Sequence, residues 1–256
     1  MTDTGGKPEP DATPAAERAV ILCGGLGTRL RAAVPDRPKV LAEVAGTPVL
    51  GHQLERLSRI GIRHVVLSAG HLANQIEAFA GDGSRWGLDV EVLVEPELLG
   101  TGGALALAVR SVDLREPFVA MNGDTLTSVN IAALVADHHR QQEAVATIAA
   151  TMSEDRTRYG SIEFDRDRRV TAFREKDLES EVADSSGWIN AGVYVLDPLV
   201  LRDVPGSRPV SLERELFVQW MPRVFVHPDP NASMLDVGTP EDYRSAEGWL
   251  RLHGPS

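Results

Sequence analysis

Cysteine is almost missing from this chain. Among its 256 residues only Cys23 carries a thiol, which excludes an internal disulfide framework and a cysteine-ligated metal cluster. Long apolar runs are missing as well. No stretch approaches the roughly 20 residues that a membrane helix needs, and the opening "MTDTGGKPEPDATPAAE" has no apolar core of the kind a signal peptide carries. A soluble, cytoplasmic protein is the expectation. Positive charge is the scarcer sign, with 26 Lys and Arg against 37 Asp and Glu and a formal net charge of −11. That balance argues against nonspecific binding to nucleic acid or to an anionic membrane, either of which needs a basic face. It leaves room for a phosphate site, which needs only a few local cations. Aromatic residues are few, at 5%, yet 43% of the chain is hydrophobic. A full core is therefore within reach, in one large domain or two closely joined small ones.

The order of apolar and polar segments predicts the architecture. Residues 1–16, rich in Pro, Gly, Thr and Asp, are expected to form a disordered tail. Beyond them strand-like and helix-like segments alternate. "RAVILC", "RHVVLSA", "DVEVLVE" and "PFVAMNGD" read as strands, and "TPVLGHQLERLSRIG", "LANQIEAFA", "GTGGALALAVRSV" and "NIAALVADHHRQ" as helices. In the first of these helices Val49, Leu50, Leu54, Leu57 and Ile60 recur at helical spacing and Gly61 ends the run. Such a βαβα rhythm implies an α/β fold, with a largely parallel sheet covered on both faces. From Glu143 the pattern changes to short strands separated by polar turns, which favours an antiparallel addition. A final helix is expected at "GTPEDY", with Thr239 as N-cap and Pro240 in the first turn.

The densest chemistry lies in "AVILCGGLGTRLRAAVPDRPKVL". A strand ends at Cys23 and runs into Gly24, Gly25 and Gly27, followed by Thr28, Arg29 and, after a Pro-bounded stretch, Pro38 and Lys39. A dinucleotide fingerprint is excluded because Leu30 stands where the third glycine belongs, and no Gly-Lys pair supplies a Walker A loop. What remains is a wider loop whose backbone N–H groups can face an anion, with cations delivered from two separate turns. That arrangement suits a triphosphate held while its α-phosphate is attacked. Taken alone, the same residues also fit a tight turn with solvated cations. Cys23 reads as a pocket wall rather than a nucleophile, and Asp124, at the end of a strand, lies where ligands gather in open α/β sheets.

These residues resemble a known family. "GGLGTRL" with "PDRPKVLAEVAGTPVL", then "GDGSRWGLDVEVLVE", "LGTGGA", "NGDT", "RYGSIEFD", "FREK", "INAGVYVLD" and "LDVGTPEDY" follow in order the blocks of the sugar-1-phosphate nucleotidyltransferases. Within that family the chain is most similar to the D-glycero-D-manno-heptose 1-phosphate guanylyltransferases, with mannose-1-phosphate guanylyltransferases next. The resemblance implies a Rossmann-like mostly parallel sheet with an antiparallel sugar-binding addition, in a single domain over 17–256. Its nucleotide-binding half would end near residue 142 and its sugar-binding half would begin near 143. It implies transfer of a nucleotidyl group from a nucleoside triphosphate, GTP favoured, to a sugar 1-phosphate, with release of pyrophosphate and with Mg²⁺ as cofactor.

By the same resemblance Arg29, Lys39, Asp124 and Lys176 would be catalytic, and Asp124 and Asp236 would hold the metal. Cys23, Gly24, Gly25, Gly27, Thr28, Glu95, Gly100, Thr101 and Gly102 would line the nucleotide site. Gly160, Glu175, Lys176 and Asn190 would line the sugar site. Glu95 would face the base: an ionised carboxylate only accepts hydrogen bonds, and guanine presents two adjacent donors, N1–H and N2. The alternatives are another sugar or base (mannose 1-phosphate, UTP or dTTP) and a catalytically silent sugar-nucleotide sensor. A homodimer is left open.

Overall fold

Val20 and Ile21 have no exposed surface. They lie in β1 (Arg18–Leu22), the strand around which the sheet is built. The computed structural model describes residues 16–25, 29–30, 33–156, 159–174 and 186–254. A 3₁₀ turn (Lys39–Leu41) and two short strands, β2 (Glu43–Val44) and β3 (Thr47–Pro48), follow β1. Then come α1 (Val49–Arg59), β4 (His64–Ala69), α2 (Ala73–Ala80), β5 (Asp89–Val94), α3 (Gly100–Ser111), β6 (Phe118–Asn122), β7 (Thr125–Thr127) and α4 (Ile131–Arg140). The later part holds β8 (Ala146–Ser153), β9 (Ser161–Phe164), β10 (Val170–Arg174), β11 (Gly187–Leu196), α5 (Phe217–Trp220), β12 (Val224–Pro228), β13 (Met234–Asp236) and α6 (Pro240–His253). A π-helical turn, Leu212–Leu216, leads into α5. The four strands and four helices expected before Glu143 are observed as β1, β4, β5, β6 and α1 to α4, and Thr239 Oγ1 caps α6 by accepting the Asp242 N–H at 3.2 Å.

Among the described residues one sheet of nine strands carries the fold. Its centre is parallel, with β1 between β4 and β6 and β5 beyond β4. The direction switches at β11, which runs antiparallel to β6 through Val193↔Met121 and to β8 through Tyr194↔Ile148. β9 and β10 continue from the N-terminal half of β11, where Ile189 pairs Ser161. The segment after Glu143 is thus joined to the parallel centre in one continuous sheet. One strand departs from the antiparallel expectation: β12 lies parallel to β8.

Alternation along the strands sorts the core into two faces. Ile21, Val65 and Leu67 pack with Leu50, Leu54 and Leu57 of α1, Ile76 of α2 and Leu134 of α4. Val20, Val66 and Ala120 pack with Leu105 and Val109 of α3 and with Leu212, Leu216 and Phe217. A third cluster seats α6, with Ala246 against Leu30, Leu126 and Leu235. Ala16, the last residue of the expected tail, is buried in the first cluster, and residues 1–15 lie outside the described ones. No helix among the described residues is long and apolar enough to cross a membrane.

One buried histidine should make the fold acid-sensitive. His138 on α4 is 4% exposed, and its Nδ1 lies 2.9 Å from Thr147 Oγ1 on β8. Burial, with His139 beside it, pushes its pKa from 6.5 down to about 4. The unfolded chain therefore binds a proton that the folded one refuses between those values, and stability falls as pH drops through that window. A shift of this size corresponds to about 3 kcal/mol. Urea unfolding should show wild type losing stability between pH 6.5 and 4.5, with His138→Gln losing clearly less. Equal losses would assign the acid sensitivity elsewhere.

Candidate active site

The carboxyl ends of β1, β5 and β6 converge on one edge of the sheet, and most of the expected site residues collect there. β1 delivers Cys23, whose backbone N–H is held by Ser68 O at 2.8 Å. Its thiol is buried, and burial first, then the charges of Asp124 and Glu95, raise its pKa far above the ordinary range. It stays a neutral wall. Gly24 follows beneath Glu95; a Cβ there would stand 3.0 Å from Glu95 Oε1, so glycine lets backbone and carboxylate meet. Gly25 has φ +112°, which favours glycine.

β6 delivers the turn Asn122-Gly123-Asp124. Gly123 donates to Leu22 O at 2.9 Å, and a Cβ there would lie 2.6 Å from that same oxygen. Only glycine lets the turn close over β1. Asp124 is then locked by a second strand pair: its carbonyl accepts the Val237 N–H at 2.9 Å, and β7 pairs antiparallel with β13 so that Thr125 faces Asp236. Two carboxylates 112 residues apart are thereby set side by side (Asp124 and Asp236).

Lys39, brought in by the 3₁₀ turn after Pro38, reaches between them. Its Nζ contacts Asp124 Oδ2 and stands 3.7 Å from Asp236 Oδ1. Burial alone would lower the Lys39 pKa, but the charges of Asp124 and Asp236 outweigh it and hold the ammonium above its usual value. Burial pushes the Asp236 carboxyl up, and Asp124 adds to the rise while Lys39 and Arg29 oppose it. Arg29 is exposed at the mouth, near enough for its charge to act on both Lys39 and Asp236.

Asp236 Oδ1 is buried without a hydrogen-bond partner. A buried carboxylate oxygen that makes no hydrogen bond, set beside a second carboxylate, is a donor set that fits a hard divalent cation. Among the described residues no group of three or more His, Cys, Asp or Glu could hold a metal unaided. Two carboxylates with substrate phosphate oxygens and water would complete the sphere.

Glu95, just past β5, accepts from Ser68 Oγ at 3.0 Å and from the Leu99 N–H at 3.4 Å. The glycines that open α3 meet the segment 209–213. Gly100 has φ +71° with the place of a Cβ 2.6 Å from Val210 O, and a Cβ on Gly102 would stand 2.7 Å from Leu216 Cδ1. The N–H groups of Gly102 and Gly103 both point to Val210 O. Thr101 Oγ1 donates to Glu213 Oε2 at 2.7 Å and accepts from Leu212 N.

On the β11 side, the pairing Val193↔Met121 places Asn190 just beyond the end of β6. Asn190 N donates to Gly160 O at 2.8 Å, so these two expected sugar-site residues are adjacent. Asn190 Nδ2 donates to Tyr194 Oη, which donates to Glu213 Oε1 at 3.3 Å. Glu213 and Tyr194 thus tie the Asn190 strand to the start of α3. Neither stood out in the sequence: Glu213 is buried because the π turn rotates "LEREL" differently from an α-helix. Gly27, Thr28, Glu175 and Lys176 lie outside the described residues.

The nucleotidyl transferase family profile matches residues 18–250, nearly the whole described chain. The chain belongs to the nucleotidyl transferase family. It is 37% identical over 243 residues to a mannose-1-phosphate guanylyltransferase of Mycobacterium tuberculosis, covering 93% of this chain and 66% of that protein. It is 35% identical over 234 residues to the D-glycero-alpha-D-manno-heptose 1-phosphate guanylyltransferase of Aneurinibacillus thermoaerophilus, covering 91% of this chain and 98% of that one. Among solved structures, HddC from Yersinia pseudotuberculosis complexed with GMP-PN superposes with a TM-score of 0.78 at 29% identity, covering 91% of this chain and 99% of that one. This nucleotidyltransferase has the Rossmann-like nucleotide-sugar transferase fold, and it spans about two thirds of the mycobacterial relative's length.

Proposed function

We propose that this nucleotidyltransferase transfers GMP from GTP to a sugar 1-phosphate of the manno series, with Mg²⁺ as its cofactor. The observation that carries the proposal is the cluster at the sheet's carboxyl edge, where Lys39 stands between Asp124 and Asp236 with Arg29 at the mouth. Two polyanions must be brought together there, and the chemistry needs no covalent intermediate and no general base. A sugar phosphate oxygen is already ionised at neutral pH. It forms a bond to the α-phosphorus of GTP as the bond to the pyrophosphate oxygen breaks opposite it. Catalysis is then positioning and charge neutralisation.

Each residue has a share in that work. Lys39 holds the α-phosphate region, Arg29 takes the charge on the departing pyrophosphate, and Asp124 and Asp236 hold the metal. A bound Mg²⁺ supplies charge neutralisation at the phosphates. Cys23, Gly24 and Gly25, with Gly27 and Thr28, wall the phosphate loop, and Gly100, Thr101 and Gly102 flank the base and ribose. Gly160 and Asn190 receive the sugar. Lys176 on its phosphate and Glu175 on its hydroxyls are proposed from the "FREK" match. The protein acts in the cytoplasm, as one catalytic domain over 17–256.

Heptose 1-phosphate is the favoured acceptor on the resemblance of the motif blocks to the D-glycero-D-manno-heptose 1-phosphate guanylyltransferases. Mannose 1-phosphate is the second reading. A grid of four nucleoside triphosphates against several sugar 1-phosphates, scored by pyrophosphate release, tests both. The proposal predicts a maximum at GTP with a manno-configured sugar; a maximum at UTP or dTTP, or an empty grid, would overturn it.

Glu95 carries the base preference. Ser68 Oγ holds one carboxylate oxygen beside Gly24 and the Leu99 N–H meets the other, which fixes the group at the carboxyl edge of the sheet. Paired contacts from guanine N1–H and N2 to a charged acceptor are worth roughly 1.5–3 kcal/mol, one to two orders of magnitude in preference. Glu95→Gln should therefore erode the preference for GTP over UTP and dTTP by about tenfold or more. Unchanged selectivity would remove Glu95 from the base site.

A further inference from the structure

Gln53 is a polar residue on the buried face of α1, 3% exposed among Val49, Leu50, Leu54 and Leu57. Its side-chain nitrogen donates twice, to Asn122 O at 2.9 Å and to Thr125 O at 2.8 Å. Those two carbonyls bracket Gly123 and Asp124. Its Oε1 is buried with no partner. Rotating the amide to relieve that oxygen would set it against two carbonyl oxygens at the same distances, so the two donors dictate the orientation. A buried acceptor left unmade is costly, and the arrangement tolerates it in order to hold this turn.

The grip extends along the same segment, through β7 and past its end. Arg56, three residues on and so on the same helix face, donates to Thr127 O and Val129 O. α1 therefore offers donors to four carbonyls between Asn122 and Val129. Only the Gln53 pair flanks the aspartate. Because Thr125 is paired with Asp236 across β7 and β13, fixing Thr125 O also ties the backbone of residue 236 to the Asp124 turn.

We infer that Gln53 is a positioning residue for the metal site, its two amide hydrogens setting the pose of the Asn122–Thr125 turn and with it the geometry of Asp124 toward Asp236. The inference rests on the reading of those aspartates as metal ligands. Groups that orient ligands without touching the ion typically change metal affinity by 10–100-fold when removed. Gln53→Met keeps length and apolar fit but donates nothing; Gln53→Asn keeps the amide but is one methylene too short to reach both carbonyls. Arg56→Met is the control, since it removes donors from the same helix and strand away from Asp124.

The test is Mn²⁺ binding followed by electron paramagnetic resonance, with the α,β-methylene analogue of GTP present, together with the melting temperature of each protein. Gln53→Met and Gln53→Asn should weaken Mn²⁺ binding about tenfold or more, while Arg56→Met lowers the melting temperature and leaves Mn²⁺ affinity near that of wild type. If wild type binds Mn²⁺ and either Gln53 variant binds it equally well, the inference fails. It fails too if Arg56→Met weakens binding as much, because the effect is then general loosening. A wild type that holds no Mn²⁺ overturns the parent reading of the aspartates, a distinct result. Should Gln53→Met not fold, Gln53→Asn decides.

Discussion

Asp124→Asn and Asp236→Asn should each lower turnover about a thousandfold, because charge stabilisation by a bound divalent cation is worth several kcal/mol. The fold should survive both changes. The Asp124 backbone carbonyl, which holds Val237 N at 2.9 Å, is untouched by the substitution, and among the described residues its side chain otherwise accepts a long 3.3 Å bond from Thr125 besides the Lys39 contact. For Asp236 the expectation goes further. Burial and the neighbouring Asp124 both disfavour its charged form, so a neutral asparagine should not reduce the melting temperature and could raise it. Lost turnover with retained stability is the signature of residues strained for function. Near-normal turnover of both variants at limiting Mg²⁺ would contradict the metal assignment.

Lys39→Met should cost about a hundred- to a thousandfold in turnover, the range seen when one preorganised charge-stabilising donor is removed. A second effect separates this lysine from an ordinary surface cation. Its ammonium touches both Asp124 and Asp236, so without it the two carboxylates lose the cation between them. In EDTA the variant should therefore melt below wild type. Added Mg²⁺ should recover more melting temperature in the variant than in wild type, since a ligand that binds only the folded state stabilises it. Equal Mg²⁺ responses would place the metal away from Lys39.

How far the sequence foretold this molecule depends on which physical signal each feature uses. Periodicity is local and strong, so the helices and the parallel centre were legible from the spacing of Val49, Leu50, Leu54 and Leu57 and from the apolar run before Cys23. The direction of β12 was not, because strand direction depends on which neighbour a chain finds, and parallel and antiparallel pairs use similar residues. The glycines of "LGTGGA" read as bringing backbone close to the base and ribose, and nothing in the sequence pointed to the protein segment packed against them. In the structure it is largely Val210 and Leu216 that press on Gly100 and Gly102.

At the site, motif residues with their own chemistry (Lys39, Asp124, Asp236) were found because short motifs carry them. Gln53, which holds the Asp124 turn, and Glu213, which joins Thr101 to Tyr194, lie outside those motifs. Gln53 did leave a trace: a glutamine on an otherwise apolar helical stripe has to satisfy its amide somewhere, and its position between Leu50 and Leu54 pointed inward. Glu213 left none, since the π turn that buries it has no distinctive residue pattern.

Attack of a sugar phosphate oxygen on the α-phosphorus derived from GTP is the centre of this account. It is tested most directly by ³¹P NMR of GTP, Mg²⁺ and a manno-configured sugar 1-phosphate labelled with ¹⁸O in its phosphate oxygens. The account predicts a GDP-sugar that keeps all of the ¹⁸O on its sugar-linked phosphorus and in the bridge between the two phosphorus atoms, beside unlabelled pyrophosphate. Label appearing in pyrophosphate, or GTP left unconsumed by protein that retains its fold, would contradict it.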